Sequence, residues 1–141
     1  MYPRVMILKV KIFREGVTEH LETAYDPRAL DLEFVDFHYL TQVGLTGSAE
    51  KIRQTLTFRG TLTSRIEQTC ARCLEQIESS ISSPFDLSYN IEERDSIDST
   101  DDLRDILILN HPDQFLCRKD CQGICPGCGV NLNRQTCRCH N

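Results

Sequence analysis

Six of the eight cysteines of this 141-residue chain fall within its last twenty-five residues. The most specific pattern there is Cys-Pro-Gly-Cys-Gly, from Cys125 to Gly129. A tight turn of this kind lets two thiolates reach one metal ion, and it needs positive φ angles that Gly127 and Gly129 adopt at low cost. The eight cysteines form four close pairs, which predicts two zinc sites of four cysteines each. From first to fourth, the pairs are Cys70 with Cys73, Cys117 with Cys121, Cys125 with Cys128, and Cys137 with Cys139.

The residues from 111 to 141 carry few apolar side chains besides cysteine. These are Phe115, Leu116, Ile124, Val130 and Leu132. Five such side chains bury too little surface to offset the entropy lost when some thirty residues are ordered. A structural zinc ion contributes on the order of 10 to 16 kcal/mol and also cross-links the chain. We therefore expect metal to order this segment.

Two groupings of the four pairs are considered. The favoured one gives one ion to the third and fourth pairs, because the loop that joins them is short and costs little to close. The other ion then joins the first and second pairs, which fixes the tail to the upstream part of the chain. The alternative grouping joins the first pair to the third.

Alternating apolar residues flank the first pair. From Ile52 to Ile66, and again from Ile77 to Ile91, the apolar residues are separated by even numbers of positions. This spacing places them on one face of a strand and predicts two strands with one buried face each. Two strands joined by a Cys-x-x-Cys make an antiparallel hairpin with a thiolate turn at its tip. Pro84 makes the second strand an edge or bulged strand.

Other segments are less regular. An apolar run from Val5 to Phe13 predicts a further strand. The acidic residues 92–105 predict a solvated linker, which leads into a short helix of apolar residues from Leu103 to Leu109. Ser99 or Thr100 is the expected N-cap of this helix.

These patterns predict an α+β fold with a mainly antiparallel β-sheet or partial barrel, a short helix and a carboxy-terminal, zinc-ribbon-like metal-binding module. We expect residues 1–110 to form the β-rich domain and residues 111–141 to pack on its hairpin. Nothing from Met1 to Lys11 resembles a signal peptide, and no segment approaches the length of a membrane span. We therefore expect a soluble intracellular protein without a membrane partner, in which thiols stay reduced.

The charge balance is acidic, with 16 basic and 21 acidic residues and a net charge of −5. Each four-thiolate zinc site would add two further negative charges, so a broad grip on phosphates is not expected. Isolated basic side chains beside the cysteines remain candidates for contact with RNA or a partner, although they also balance thiolate charge, and Arg72 is equally explained as a solvated turn residue. These candidates are Arg72, Arg118, Lys119, Arg134 and Arg138.

The candidate sites argue against catalysis. Four cysteines complete the tetrahedral shell of zinc and leave no position for a reactive water. The sequence also offers no paired carboxylate and histidine group and no evident small-molecule site. The competing hypothesis is a thiol-redox or metal-responsive regulatory protein, in which at least one Cys-x-x-Cys would be metal-free and hold a thiol of depressed pKa.

The chain resembles the YceD family of large ribosomal RNA subunit accumulation proteins. Two motifs carry the resemblance, and it extends from about Val43 to Cys139. The motifs are Cys70-Ala-Arg-Cys73-Leu74-Glu75 and Leu116-Cys117-x₃-Cys121-x-Gly123-Ile124-Cys125-Pro126-x-Cys128-Gly129-x-Asn131-Leu132-Asn133-x₃-Cys137-x-Cys139.

The resemblance implies a bacterial or plastid factor that supports accumulation or processing of large-subunit (23S) ribosomal RNA and has no established enzymatic activity. It implies a cytoplasmic location, or the plastid stroma in a plant. The implied partners are large-subunit ribosomal RNA or proteins of the pre-50S particle. Some members of the family lack most of the tail cysteines. We therefore expect a non-enzymatic ribosome-biogenesis factor.

Overall fold

The computed structural model describes residues 4–32, 34, 37–110, 115–137 and 139. Seven strands and one helix form in the described part of the chain, and 3-10 helices cover Val10–Ile12 and Pro27–Leu30. The elements are β1 (Ile7–Lys9), β2 (Thr18–Tyr25), β3 (Phe37–Tyr39), β4 (Val43–Ile52), β5 (Thr55–Thr69), β6 (Gln76–Asn90), β7 (Ser96–Asp98) and α1 (Thr100–Leu109). The predicted architecture, a mostly antiparallel sheet with one short helix and a cysteine-rich tail, is confirmed.

The main sheet is built around β5. This strand pairs along its whole length with β6 in the predicted hairpin, from Thr55 opposite Asn90 to Thr69 opposite Gln76. Its other edge pairs first with β4 and then with β3, and β2 lies beyond β4. All these ladders are antiparallel, and β1 pairs with β7 in a separate two-stranded sheet.

A bulge separates β3 from β4. Tyr39 lies opposite Ile66 and Gly44 opposite Thr63, so four residues of one edge face two of β5. The Thr41 hydroxyl accepts a hydrogen bond of 3.1 Å from the backbone N–H of Arg65 and so replaces a ladder partner. The side chain thereby keeps the backbone of β5 paired across the interruption.

The core covers one face of the main sheet. The even-numbered apolar residues of β5 are buried, as their alternation predicts, and Phe85 of β6 packs its ring against Phe58 at a centroid distance of 4.8 Å. Leu103 and Leu107 of α1 belong to the same core and are fully buried. Within the described chain β6 pairs only with β5, which confirms its expected place at an edge of the sheet.

Several local predictions were wrong in detail. The long strand does not begin at Ile52, because the chain turns at Arg53 and Gln54, and Ile52 ends β4 with 53% of its surface exposed. Arg53 adopts a φ of 55° in this turn. The run from Val5 to Phe13 is a strand only over β1, and then tightens into a 3-10 helix.

The acidic segment is more structured than a linker. Its middle forms β7, and Ile97 is 1% exposed in the core. Ser99 occupies the N-cap position of α1, but its hydroxyl donates to the Met6 carbonyl oxygen at 3.1 Å. The carboxylate of Asp98 instead accepts from the backbone N–H of Thr100 at 3.0 Å. No helix in the described residues is long and apolar enough to cross a membrane.

Candidate metal centre

The first cluster joins the hairpin tip to the tail. Its four sulfurs, from Cys70, Cys73, Cys117 and Cys121, all lie within 4.8 Å of one another. Both the Cys70–Cys121 and the Cys73–Cys117 Sγ–Sγ distances are 3.7 Å. A tetrahedral zinc ion with Zn–S bonds of about 2.3 Å sets neighbouring sulfurs about 3.8 Å apart, whereas a disulfide needs about 2.05 Å. The spacing therefore fits a metal site.

The second cluster lies entirely within the tail. It contains Cys125, Cys128, Cys137 and Cys139, again with every sulfur within 4.8 Å of the others. The Sγ–Sγ distances are 3.2 Å from Cys125 to Cys137, 3.9 Å from Cys125 to Cys139 and 4.0 Å from Cys128 to Cys137. The structure thus brings the cysteines together in the favoured grouping and not in the alternative.

The two Cys-x-x-Cys turns share one backbone conformation. In the first, Cys70 N–H donates to the Glu75 carbonyl oxygen and Leu74 N–H to that of Cys70; in the second, Cys125 and Gly129 donate at the same relative positions. The residue after the second cysteine has a positive φ in both turns, 62° at Leu74 and 76° at Gly129. Each turn therefore aims two sulfurs at one point by the same means.

Gly127 serves the second turn for a different reason from the one predicted. It does not have a positive φ, unlike Gly129. A Cβ atom at this position would lie 2.7 Å from the Sγ of Cys139. Glycine is thus needed there to let the fourth pair approach.

Hydrogen bonds from N–H groups stabilise the thiolate of Cys70. Burial raises the pKa of this thiol, but backbone N–H groups of Cys73, Cys117 and Arg72 outweigh that effect and lower the pKa to about 6. The bond from Cys117 N–H to the sulfur measures 3.3 Å. A sulfur that is ionised near neutral pH is ready to ligate a cation.

Asn133 gives Cys121 the same support. Its side-chain amide donates to Cys121 Sγ at 3.3 Å, which lowers the pKa of that thiol. Its oxygen accepts from the backbone N–H of Gln122 at 2.8 Å. Its spacing of twelve residues from Cys121 carried no signal of this contact.

Without a cation, the sulfurs within each cluster oppose one another's ionisation. Burial and the neighbouring thiol of Cys73 raise the pKa of Cys117 to about 12. The adjoining thiols of Cys128 and Cys125 raise the pKa of Cys139 to about 12. A divalent ion removes this opposition, because it is attracted to all four thiolates at once.

The residues present fit zinc. Soft thiolate ligands at tetrahedral spacing select zinc or an iron–sulfur centre over hard cations. When bound, such an ion supplies a cross-link. The protein would hold it with two sulfurs from the hairpin and two from the tail in the first cluster, and with four tail sulfurs in the second. Both Cys-x-x-Cys pairs belong to a four-sulfur cluster.

Further contacts fix the tail to the hairpin tip. Ala71 N–H donates to the Phe115 carbonyl oxygen at 2.8 Å. The guanidinium of Arg72 donates to the carbonyl oxygen of Cys121 at 3.1 Å, which gives Arg72 a structural partner. Arg134 pairs with Glu75 at 2.9 Å.

The other basic candidates lie at the tail surface. Arg118 pairs with Asp120 at 3.5 Å, and both side chains are at least half exposed. Lys119 is exposed and makes no ion pair within the described part of the chain. Arg138 lies outside the described residues. Arg118 and Arg134 also line a cavity of about 240 Å³ beside the first cluster, together with Glu75, Ile77, Cys117, Asn131 and Asn133.

Comparison with known proteins gives a family match over part of the chain. Residues 86–141 match the family model described as large ribosomal RNA subunit accumulation protein YceD. The YceD prediction is confirmed over this region. The matched region holds six of the eight cysteines, including the whole second cluster, and the family description names no enzymatic activity.

Relatives of the chain occur in mycobacteria. Uncharacterized proteins of Mycobacterium tuberculosis and Mycobacterium bovis are 27% identical over 127 residues, covering 79% of this chain and 61% of the relative. One of Mycobacterium leprae is 25% identical over 119 residues, covering 73% and 55%. The chain therefore spans about three-fifths of the length of the curated relatives that it matches. No solved structure matches the chain.

Proposed function

We propose that this protein is a non-enzymatic ribosome-biogenesis factor that supports the accumulation or processing of large-subunit ribosomal RNA. The observation that carries the proposal is the YceD match over residues 86–141. Those residues supply the tail pair of the first cluster, Cys117 and Cys121, and all four cysteines of the second cluster. The proposed place of action is the bacterial cytoplasm or the plastid stroma.

The proposal includes a zinc ion in each cluster. Its support is the sulfur spacing, 3.7 Å for both pairs measured in the first cluster and 3.2 to 4.0 Å in the second. Elemental analysis of protein purified without added metal tests it, with two zinc ions per chain as the expected result. A well-ordered native protein with no bound metal would contradict it.

The proposed mechanism is binding by a preformed surface. In this proposal residues 1–110 form the β-rich domain, and residues 111–141 form a module that is cross-linked to the hairpin tip. The internal bonds of Arg72 and Arg134 rigidify this junction. Arg118 and Lys119 are left at the surface as the groups that contact large-subunit ribosomal RNA or proteins of the pre-50S particle.

Co-sedimentation with precursor large subunits tests the function. Depletion of the protein should reduce mature large-subunit ribosomal RNA, and the tagged protein should migrate with pre-50S particles. An unchanged ribosomal RNA profile after depletion would count against the proposal.

Charge reversal tests the contact surface separately. The fraction of protein bound to pre-50S particles should fall about tenfold in the Arg118→Glu/Lys119→Glu variant. Each reversal replaces an attraction to phosphate or acidic groups with repulsion. The matched control is Lys11→Glu/Arg14→Glu, which reverses two exposed charges in the amino-terminal segment. Equal losses in both variants would show that net charge alone matters.

A further inference from the structure

The two clusters differ in how far their sulfurs are shielded from solvent. In the first, Cys70, Cys73 and Cys121 are 0%, 4% and 3% exposed, and apolar Leu116 and Ile124 pack against them. In the second, Cys128 and Cys139 are exposed and Cys137 is half-buried. Cys117 of the first cluster is half-buried and Cys125 of the second is buried, so a dissolved oxidant has readier access to the second cluster than to the first.

Each exposed sulfur of the second cluster has an inner sulfur close by. Cys128 Sγ lies 4.0 Å from Cys137 Sγ, and Cys139 Sγ lies 3.9 Å from Cys125 Sγ. The segment carrying the fourth pair is short and contributes no buried side chain among its described residues. Closing either pair to a disulfide of about 2.05 Å therefore needs only a small movement of exposed chain.

We propose that the second cluster is an oxidation site that releases its metal ion on reaction with a peroxide, while the first cluster keeps its ion and holds the tail on the hairpin. This inference goes beyond the proposed ribosomal function and rests only on the metal content proposed above. It assigns different tasks to two sites of identical ligand chemistry: a permanent cross-link and a peroxide-sensitive one.

The reaction is balanced with hydrogen peroxide as the oxidant. An exposed thiolate, from Cys128 or Cys139, attacks a peroxide oxygen, the O–O bond breaks, and a sulfenic acid forms with loss of water after protonation. The inner thiolate then attacks this sulfur, the S–O bond breaks, and a second water leaves. Two sulfurs lose two electrons in total, peroxide accepts them with two protons, and the divalent ion leaves the two remaining thiolates.

Zinc release from the full chain under peroxide tests the inference. The zinc content is measured first, then hydrogen peroxide is added in the presence of a chromogenic zinc chelator. One equivalent should be released at least ten times faster than the second. The fast phase should coincide with a mass loss of about 2 Da per disulfide formed. Peptide mapping should find Cys128–Cys137 or Cys125–Cys139, and a dithiol reductant with added zinc should restore the starting mass and metal content.

The Cys125→Ser/Cys128→Ser/Cys137→Ser/Cys139→Ser variant is the matched control. It should bind one zinc ion and lack the fast phase. In the unmodified chain, release of both ions at one rate, or disulfides that include Cys70, Cys73, Cys117 or Cys121 in the fast phase, would overturn the inference. Fewer than two zinc ions before peroxide is added would overturn the metal proposal and this inference together, whereas two ions released at one rate would overturn the inference alone.

Discussion

Leu74 and Gly129 hold the same position in the two cysteine turns, directly after the second cysteine. Both have a positive φ, a conformation that costs a residue with a Cβ roughly 1 kcal/mol or more. Leu74 offsets little of this cost by burial, since 59% of its surface is exposed. The first turn is therefore strained at a residue where the second is not.

This comparison predicts that Leu74→Gly stabilises the zinc-loaded protein. We expect an increase of about 0.5 to 1 kcal/mol in the free energy of unfolding, because the relief of strain exceeds the extra entropy of glycine in the unfolded chain. Urea denaturation measures it. The reciprocal change Gly129→Ala should lower stability by about 1 kcal/mol, and a destabilising Leu74→Gly would show that the side chain packs more usefully than its exposure indicates.

The hydrogen bonds of Asn133 lead to a second prediction, which concerns zinc affinity. Its amide donates to Cys121 Sγ and to Asn131 Oδ1, and its oxygen accepts from Gln122 N–H. Removing a side chain that hydrogen-bonds to a metal ligand typically lowers metal affinity by about 10- to 100-fold. Asn133→Ala should weaken zinc binding at the first cluster by that factor in competition with a chelator of known affinity.

The control for Asn133→Ala is Gln135→Ala, two residues further along the same segment. The Gln135 side chain is exposed and makes no hydrogen bond within the described structure. Its removal should leave both zinc affinities unchanged. An equal loss in the two variants would reduce the role of Asn133 to general support of the turn.

At the scale of elements, β4 and β5 approach each other unusually closely at Gly47 and Gly60, which lie opposite each other in the ladder. A Cβ atom at Gly60 would lie 2.4 Å from the Thr46 carbonyl oxygen and 3.0 Å from the ring of Phe85. Neither neighbour can move freely, since one is backbone and the other is a core ring. Glycine at these two positions therefore permits β4 and β5 to lie this close together.

Gly60→Ala should therefore destabilise the sheet by about 2 to 3 kcal/mol, the usual cost of overpacking a fixed site. Thermal and urea unfolding of the zinc-loaded protein measure it. Gly44→Ala in the same ladder is the control, because its new Cβ would meet the rotatable hydroxyl of Thr63 at 3.3 Å and the carbonyl oxygen of Thr63 at an ordinary contact distance of 3.8 Å. Comparable losses at the two positions would mean that glycine entropy, and not close approach, dominates.

At the scale of the whole molecule, two kinds of stabilisation divide the chain. Among the residues that the structure describes, the sheet and α1 share one core of nineteen buried side chains. In the described part of the tail the buried residues are Cys121, Gly123 and Cys125, which include no aliphatic or aromatic side chain. Hydrophobic burial therefore stabilises the sheet, whereas in our proposal metal ligation orders the tail.

Metal removal should separate these two parts. With a strong chelator, amide hydrogens of residues 115–137 should lose their protection from exchange, while those of β4, β5 and β6 keep theirs. Hydrogen exchange measured by mass spectrometry, with the zinc-loaded chain as reference, checks this. Protection of the tail that persists after complete chelation would show that contacts such as Arg134 with Glu75 suffice to hold it.

The sequence by itself determined the elements whose signals are local. Alternation placed the buried face of β5 and β6, the Cys-x-x-Cys marked the hairpin tip, and short loop length favoured the grouping of the third and fourth pairs. Each follows from the period of a strand or the entropy of closing a short loop, which neighbouring residues decide.

Only the tertiary structure decided what depends on contacts between distant segments. Part of the acidic segment that was expected to be a linker forms β7 and pairs with β1, because this pairing buries Ile97 in the core. The amide of Asn133 reached Cys121, and the carboxylate of Asp98 took the capping role predicted for Ser99 or Thr100, through geometry that spacing does not encode. The same holds for the unequal exposure of the two clusters, since packing against the hairpin buries three cysteines of the first cluster, whereas only one cysteine of the second is buried.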